Sequence, residues 1–507
     1  MCALPMVATA PAAPTLESVL AARRDAIAAL HTRDPKTLEM SGTVDGVALH
    51  GYFNSWRAGG NERYEEITGV RLQSTYRLNG HEYIVNENGV VRELRGLLLA
   101  RQRTEDFIEN GDFVAQPQYD RFLGTQELSG GRDVYAMSVA PPQGQQETVY
   151  LDRATSMIDR VAYDDADGQA TVDYYDYTVL GKVLVAKRTV ESNGDHQFDL
   201  TRRTTEVIAD QPIGADYFAL PPSTVVQIDR PITVPLEIRN DHCYVRVRIA
   251  QHDYTFLLDS GAQAIVLDAQ VAQQAGLRPE GQLEVAGAQR TGGLGVAALD
   301  SLQIGTATLP VHMVTVINLH GVTGAQSLDG ILGYPFFAET EARIDPDAQT
   351  LTFGKPGSLS ETGTAFAIDD DRELVELQAK IDGADGRFVI DTGNANELLV
   401  YGTFLRAHEG LIPYAGGRFA GNTGIGGSAQ AVAAVVDQLD MGPYHFYNRY
   451  ANIMLSTQGA FADRFDAGNI GMGVLHNFVL TFDLQNGRLY ARPAAHFDDG
   501  RYRGRAE

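Results

Sequence analysis

The sequence reads Phe256-Leu257-Leu258-Asp259-Ser260-Gly261-Ala262 at one point and Phe388-Val389-Ile390-Asp391-Thr392-Gly393-Asn394 at another. In each segment three apolar residues lead to one Asp, which is followed by Ser or Thr and then by Gly. An apolar strand that ends in such a turn presents its carboxylate beside backbone N–H groups and a hydroxyl. Two such carboxylates brought face to face share a proton and can activate water. One such tripeptide is a weak signal, whereas two in matched contexts indicate an acid/base pair.

The likeness between the two segments continues downstream, which indicates an internal repeat. Aligning Gly333 with Gly471 also aligns Asp345 with Asp483, and each of these Asp residues lies in a predicted β-hairpin. Between the Asp turn and this tail each copy holds a Gly-rich stretch followed by a strand-like run. The Gly-rich stretches span residues 287–295 and 421–428.

This order of Asp-Ser/Thr-Gly, Gly-rich hairpin and apolar-apolar-Gly resembles the retropepsin-like aspartic proteases, over residues 235–495. Two copies in one chain are similar to pepsin, with shorter lobes. The resemblance implies a mainly β fold in which two closed β-barrel lobes, 234–356 and 364–495, form a pseudo-dimer. It also implies that Asp259 and Asp391 are the catalytic residues.

The same resemblance implies roles for the residues around the two Asp side chains. Ser260 and Thr392 would lock the two turns together, and Gly261 and Gly393 would permit their tight geometry. The Gly-rich hairpins would be flaps that bind and cover the substrate, through Gly292, Gly293, Gly424 and Gly426. The segments expected to pack under the turns contribute Ile331, Leu332, Gly333, Ile470 and Gly471.

The second copy departs from the family pattern at two positions. Asn469 occupies a position that is apolar in the first copy, and Asn394 follows its Asp turn. These departures leave open whether the second lobe is fully competent. The dyad could form within one chain or between two chains, and the two non-identical lobes favour the first arrangement.

Composition limits the other possibilities. A chain of 507 residues is too long for one core, and its formal net charge of −24 argues against a nucleic-acid partner. No apolar run is long enough for a transmembrane helix. The sequence has no His-Glu-x-x-His motif, no paired Cys motif and no P-loop ending, so we expect neither a metal nor another cofactor.

The N-terminal half is expected to be a separate unit. Residues 1–14 read as a disordered or residual export segment, and residues 15–222 as a β domain that ends before a Pro-rich linker. Thr15 is a predicted N-cap for a helix that continues to His31, with Arg23 and Arg24 mostly on its outer face. Many short strands follow, so one helix on a broad antiparallel sheet is predicted.

This unit resembles the periplasmic lipoprotein-carrier family. The likeness lies in residues 150–155, in Asp173-Tyr174-Tyr175-Asp176-Tyr177, and in Gly181 before Val183-Leu184-Val185. It implies a half-barrel with a concave apolar face, a lipid or lipoprotein partner, and a periplasmic or secreted location. A filled structural domain without a ligand is the alternative, and a cytoplasmic location stays open.

Together these patterns predict an aspartic endopeptidase that hydrolyses extended or unfolded polypeptide. Two alternatives remain from the sequence. One is a catalytically degenerate, protease-like binding protein. The other is an accessory protein that binds a lipid or lipoprotein through its N-terminal domain.

Overall fold

A computed structural model of the chain describes residues 13–166, 168–285, 291–319, 328–360, 362–414, 417–424, 427–457 and 459–501. The described residues are mainly β-strand and form four sheets. The expected export segment, residues 1–14, lies almost wholly outside them. In the part of the chain that is described, no helix is both long and apolar enough to cross a membrane.

The N-terminal part forms one thirteen-stranded antiparallel sheet, in the order β6-β5-β4-β3-β2-β1-β13-β12-β11-β10-β9-β8-β7. Tight turns join many of its strands; at Asn79-Gly80 both residues have positive φ, as a two-residue hairpin turn requires. The strands are β1 Thr37–Gly46, β2 Leu49–Ala58, β3 Asn61–Thr68, β4 Arg71–Leu78, β5 His81–Val85, β6 Val91–Glu93, β7 Asp120–Leu128, β8 Arg132–Val139, β9 Glu147–Asp152, β10 Ile158–Asp165, β11 Gly168–Leu180, β12 Val183–Ser192 and β13 Leu200–Ala209.

Helices α1 Leu16–Ala29, α2 Leu97–Glu109 and α3 Asp112–Ala115 belong to this part of the chain. The predicted N-cap is confirmed, because the Ser18 N–H donates to the Thr15 hydroxyl oxygen at 3.2 Å. The prediction of an outer position was wrong for Arg23, which is buried and donates to the Ser156 carbonyl at 2.9 Å. The prediction of a single helix was also wrong, because α2 packs Phe107 and Ile108 into the core between α1 and the sheet.

The segment that carries Asp259 forms a ten-stranded sheet, in the order β19-β20-β23-β18-β24-β17-β16-β21-β22, with β15 paired to β16. Its strands are β15 Glu237–Arg239, β16 His242–Ile249, β17 His252–Leu258, β18 Val266–Asp268, β19 Glu280–Val285, β20 Thr291–Ala298, β21 Ser301–Ile304, β22 Ala307–Pro310, β23 Met313–Ile317 and β24 Gly330–Leu332. Helices α4 Ala269–Gln274 and α5 Tyr334–Glu339 follow β18 and β24.

The segment that carries Asp391 forms a seven-stranded sheet, in the order β28-β29-β34-β30-β33-β32-β31. Its strands are β28 Glu376–Ile381, β29 Ala384–Asp391, β30 Leu398–Tyr401, β31 Phe419–Gly424, β32 Gly427–Met441, β33 Tyr444–Met454 and β34 Gly468–Gly471, with helices α6 Gly402–Ala407 and α7 Met472–Leu475. An additional pairing of β28 with β32 closes six of these strands into a barrel.

A six-stranded sheet joins the two segments, in the order β14-β26-β25-β35-β36-β27. Its strands are β14 Ile232–Pro235, β25 Glu341–Asp345, β26 Thr350–Gly354, β27 Thr364–Ala367, β35 Phe478–Asp483 and β36 Arg488–Pro493. Both tail hairpins predicted from the sequence are confirmed, as β25–β26 and β35–β36. Their inner strands pair with each other, Ala342 with Phe482 and Ile344 with Leu480, so the two segments share one hydrophobic core.

Replacing Phe337 by Ala should destabilise the protein by about 3–5 kcal/mol, because the change leaves a cavity in this shared core. The Phe337 ring is fully buried and its centroid lies 4.6 Å from that of Phe482. Calorimetric unfolding measures the effect. Phe419→Ala is the matched control, because that side chain is 76% exposed, and it should change little. Equal effects of the two substitutions would contradict the placement of Phe337 in the shared hydrophobic core.

Candidate active site

Asp259 and Asp391 reach the same place from two equivalent strand arrangements. β17 pairs in parallel with β24, so that Leu258 lies opposite Leu332, and Asp259 follows at the turn. β29 pairs in parallel with β34, so that Ile390 lies opposite Ile470. In both cases a buried apolar strand carries the Asp to its carboxyl end, as the sequence predicts.

The two carboxyl groups are in hydrogen-bonding contact with each other. The two turns approach the opposite Asp side chains so closely that neither Gly261 nor Gly393 has room for a Cβ atom. A Cβ placed on Gly261 would meet both carboxylate oxygens of Asp391 at 2.6 Å, and one placed on Gly393 would collide with the Asp259 carboxylate. Glycine is therefore required at both positions by the approach of the opposite Asp.

Ser260 and Thr392 form a reciprocal set of hydrogen bonds between the two turns. The Ser260 N–H donates to Thr392 Oγ1 at 3.0 Å, and the Thr392 N–H donates to Ser260 Oγ at 3.1 Å. The Ser260 hydroxyl donates to the Ile390 carbonyl at 2.6 Å, and the Thr392 hydroxyl donates to the Leu258 carbonyl at 2.8 Å. Both side chains are fully buried, so these bonds fix the turns without help from solvent.

Each Asp also accepts a hydrogen bond within its own turn. The Gly261 N–H donates to Asp259 Oδ1 at 2.9 Å, and the Gly393 N–H donates to Asp391 Oδ1 at 2.8 Å. Part of the Asp259 residue reaches solvent, but protein atoms surround its carboxyl group. This burial, and then the negative charge of Asp391, raise the pKa of Asp259 well above its usual value, against the effect of the turn N–H groups.

Among the described residues, a side-chain donor contacts the Asp of the second turn, and no counterpart is found at the first turn. Asn469 Nδ2 donates to Asp391 Oδ2, and Asn469 Oδ1 accepts from Asn394 Nδ2 at 2.8 Å. The corresponding Ile331 instead packs in an apolar cluster with Leu257 and Val266. The sequence marks both Asn residues as departures from the pattern, and the structure gives them a common role beside Asp391.

The strands β24 and β34 pair with β17 and β29, the strands that lead to the two Asp turns. Ile331 and Leu332 are buried in β24, Ile470 and Gly471 are buried in β34, and a Cβ on Gly333 would meet the Ala262 carbonyl oxygen at 2.5 Å. The Tyr334 N–H donates to the Ala262 carbonyl at 2.7 Å, and Met472 makes the same bond to Asn394. The helices α5 and α7 therefore begin directly beneath the two turns.

The described parts of the two Gly-rich stretches, residues 291–295, 421–424 and 427–428, lie in the antiparallel hairpins β19–β20 and β31–β32. Gly292 and Gly293 are in β20 and Gly424 ends β31, whereas Gly426 lies outside the described residues. Within the described chain, no group of three or more His, Cys, Asp or Glu residues is arranged to hold a metal ion.

Residues 245–336 match a protein-family model described as aspartyl protease. The matched range includes the Asp259 turn and β24, and it ends before Asp391. No curated protein sequence matches the chain.

Three solved structures are similar to part of the chain, each at 12% identity. One is a DUF1329 family protein from Desulfovibrio piger, which covers 39% of this chain and 97% of its own with a TM-score of 0.29. The second, a putative outer membrane lipoprotein-sorting protein domain from Vibrio parahaemolyticus, covers 39% and 95% with a TM-score of 0.28. The third, a LolA superfamily protein from Nitrosomonas europaea, covers 41% and 98%, also with 0.28.

A double-mutant cycle on Ser260→Ala and Thr392→Val should show coupled destabilisation. Each substitution removes a buried acceptor and a buried donor, at about 1–3 kcal/mol. Because the two hydroxyls serve one network, the double variant should differ from the sum by about 1 kcal/mol. Unfolding calorimetry measures all four proteins.

The control cycle uses the exposed hydroxyl pair of Thr233 and Thr352, whose oxygens lie 2.9 Å apart. Replacing both by Val should give nearly additive, small effects. Additive effects at Ser260 and Thr392 would contradict the proposed joint role.

Proposed function

We propose that this protein is an aspartic endopeptidase in which Asp259 and Asp391 of one chain form the catalytic dyad. The observation that carries the proposal is the contact between the two carboxyl groups, at turns tied together by reciprocal hydrogen bonds. The match of residues 245–336 to the aspartyl protease model supports it.

The two carboxyl groups have different environments, which supports different roles. Asp391 accepts hydrogen bonds from the Gly393 N–H and from the Asn469 side-chain amide, and these two donors suit a carboxylate that acts as the base. Asp259 has a raised pKa and favours the protonated form. We therefore assign Asp391 as the base and Asp259 as the acid at the start of the reaction.

In the proposed reaction, Asp391 takes a proton from a water molecule while the water oxygen attacks the scissile carbonyl carbon. Asp259 donates its proton to the carbonyl oxygen, so a neutral tetrahedral diol forms without a covalent enzyme intermediate. Collapse of this intermediate breaks the C–N bond. Asp391 gives its proton to the leaving amine nitrogen, and Asp259 takes a proton back from one diol hydroxyl, whose oxygen becomes the carbonyl of the new carboxyl group.

The substrate class follows from the two hairpins. We propose that β19–β20 and β31–β32 act as flaps and hold an extended polypeptide by strand-like pairing. Gly292, Gly293 and Gly424 would allow close backbone approach there. A periplasmic or secreted location remains a prediction.

Asp259→Asn and Asp391→Asn should each abolish cleavage of unfolded casein between about pH 3 and 7. The reaction needs one carboxylate as the base and one carboxylic acid as the proton donor, and an Asn side chain can replace neither. A pepstatin-type inhibitor should block the wild-type protein. Asp385→Asn is the control, since that side chain is exposed and forms a surface ion pair with Lys380. It should keep full activity.

The outcomes of this experiment separate the alternatives. Loss of cleavage in only one Asn variant would contradict a dyad within one chain and indicate pairing between chains. Absence of cleavage by the wild-type protein at every pH would favour the degenerate, protease-like binding protein.

Asn469→Leu should lower kcat/KM for casein by about tenfold, because the Asp391 carboxylate loses a charge-assisted hydrogen bond. Asn394→Ala leaves Asn469 in place without its orienting partner and should give a smaller loss. Steady-state kinetics of both variants measure the losses. An unchanged kcat/KM in a folded Asn469→Leu protein would refute the role assigned to Asn469.

A further inference from the structure

The N-terminal sheet surrounds a cavity of about 370 Å³ that the proposed peptidase chemistry does not use. Residues of β1–β5, β9–β13 and α2 line it, so strands near both edges of the sheet face the same space. A second cavity of about 330 Å³ adjoins it and shares Tyr64, Tyr163, Glu191 and Arg202 with it. This size suits a small organic ligand.

The lining of the larger cavity is charged, with an excess of acidic groups. Six glutamates and three arginines, Arg77, Arg101 and Arg202, contribute to it; the glutamates are Glu62, Glu82, Glu105, Glu109, Glu147 and Glu191. The lipoprotein-carrier resemblance implies an apolar concave face, and this lining does not fit that expectation. A hydrocarbon chain without polar groups would leave these carboxyl groups buried with no compensating hydrogen bond, which a ligand that carries a donor group would supply.

The arginines already have acidic partners. Arg77 pairs with Glu82 at 2.6 Å and with Glu62 at 3.1 Å. Arg202 pairs with Glu191 and, outside the cavity lining, with Glu66, both at 2.8 Å.

Arg101 pairs with Glu105 at 2.8 Å and lies over the Tyr163 ring, 3.6 Å from its centroid. All three positive charges are therefore neutralised by the protein itself. Apart from the tyrosines, the ionisable groups of the lining that have no arginine partner are therefore carboxyl groups.

Glu147 is the carboxyl group that this arrangement leaves unsatisfied. It is only 2% exposed, and neither of its carboxylate oxygens has a hydrogen-bond partner among the described residues. Arg101, Glu105 and Glu109 act on it from α2, and Tyr163 lies opposite it on β10. Burial, and then the charge of Glu105, raise the pKa of Glu147 to about 8.

We infer that this cavity is a binding site for an organic cation, with a primary ammonium group that donates to Glu147 and an extended alkyl chain. An ammonium has three donors and no acceptor, which suits two orphaned carboxylate oxygens. The chain would lie along Met40, Phe53 and Val161, and Tyr174 offers a further aromatic surface. A free polyamine and the side chain of a peptide lysine share this chemistry.

Isothermal titration of the full-length protein tests the inference, at about 0.15 M salt to screen weak attraction to the acidic surface. The probes are spermidine, 1,5-diaminopentane, N-acetyl-lysine methylamide and decanoate. Spermidine or the diamine should bind saturably, and tighter binding of the lysine derivative would identify a peptide side chain as the source. Binding should tighten from pH 6 to pH 8.5, because a cation favours the ionised form of Glu147.

Glu147→Gln should weaken amine binding about tenfold or more, since it removes the charge-assisted hydrogen bond. Glu109→Gln, at the same cavity, should weaken amine binding by a smaller factor. This variant replaces Glu147→Gln in the test if the Glu147→Gln protein fails to fold. Glu127→Gln, on an exposed position of β7, is the matched control and should change nothing.

Saturable amine binding that is lost in the Glu147 or Glu109 variant supports the site. Three results would overturn it: equal binding by both cavity variants and the control, binding of decanoate without the amines, and no binding of any probe. Casein cleavage measured on the same variants should stay at the wild-type level, which keeps this test separate from that of the proposed peptidase.

Discussion

Two acidic side chains in contact set the strictest requirement in this molecule. A pair of carboxyl groups at that separation cannot ionise freely, so the protein must hold both in place against their repulsion. The Ser260–Thr392 network does this with four buried hydrogen bonds between the two turns. The six-stranded sheet and its shared core hold the two segments together at the pairing of β25 with β35.

The two Asp turns have nearly the same backbone arrangement but different neighbouring side chains. The hydrogen bonds between the turns are reciprocal, but Asn469 donates to Asp391 where Ile331 packs among apolar residues near Asp259. The substitution of an amide for an aliphatic side chain therefore distinguishes two carboxyl groups that the fold places equivalently. In a dyad that shares one proton, one member is protonated while the other is ionised, and unequal surroundings favour one of the two placements of that proton.

The N-terminal sheet contacts the part of the chain that carries the dyad. Leu49 packs with Val296 of the first Gly-rich hairpin, and the Asn88 side chain accepts from the His312 N–H at 3.0 Å. The Arg95 N–H donates to the Asp371 carboxylate at 2.8 Å. The cavity of this sheet and the proposed active site therefore belong to one connected structure, although their chemistries differ.

The sequence alone determined the two Asp turns, the strands that lead to them, the tail hairpins and the N-cap of α1, because local apolar pattern and turn chemistry specify these features. It did not predict α2, the burial of Arg23 or the role of Asn469. Nor could it predict the charged residues that line the cavity of the N-terminal sheet. Tertiary structure decided these features, because pairing and burial depend on contacts between residues far apart in the chain, such as Asn469 with Asp391 and the strands that meet around Glu147.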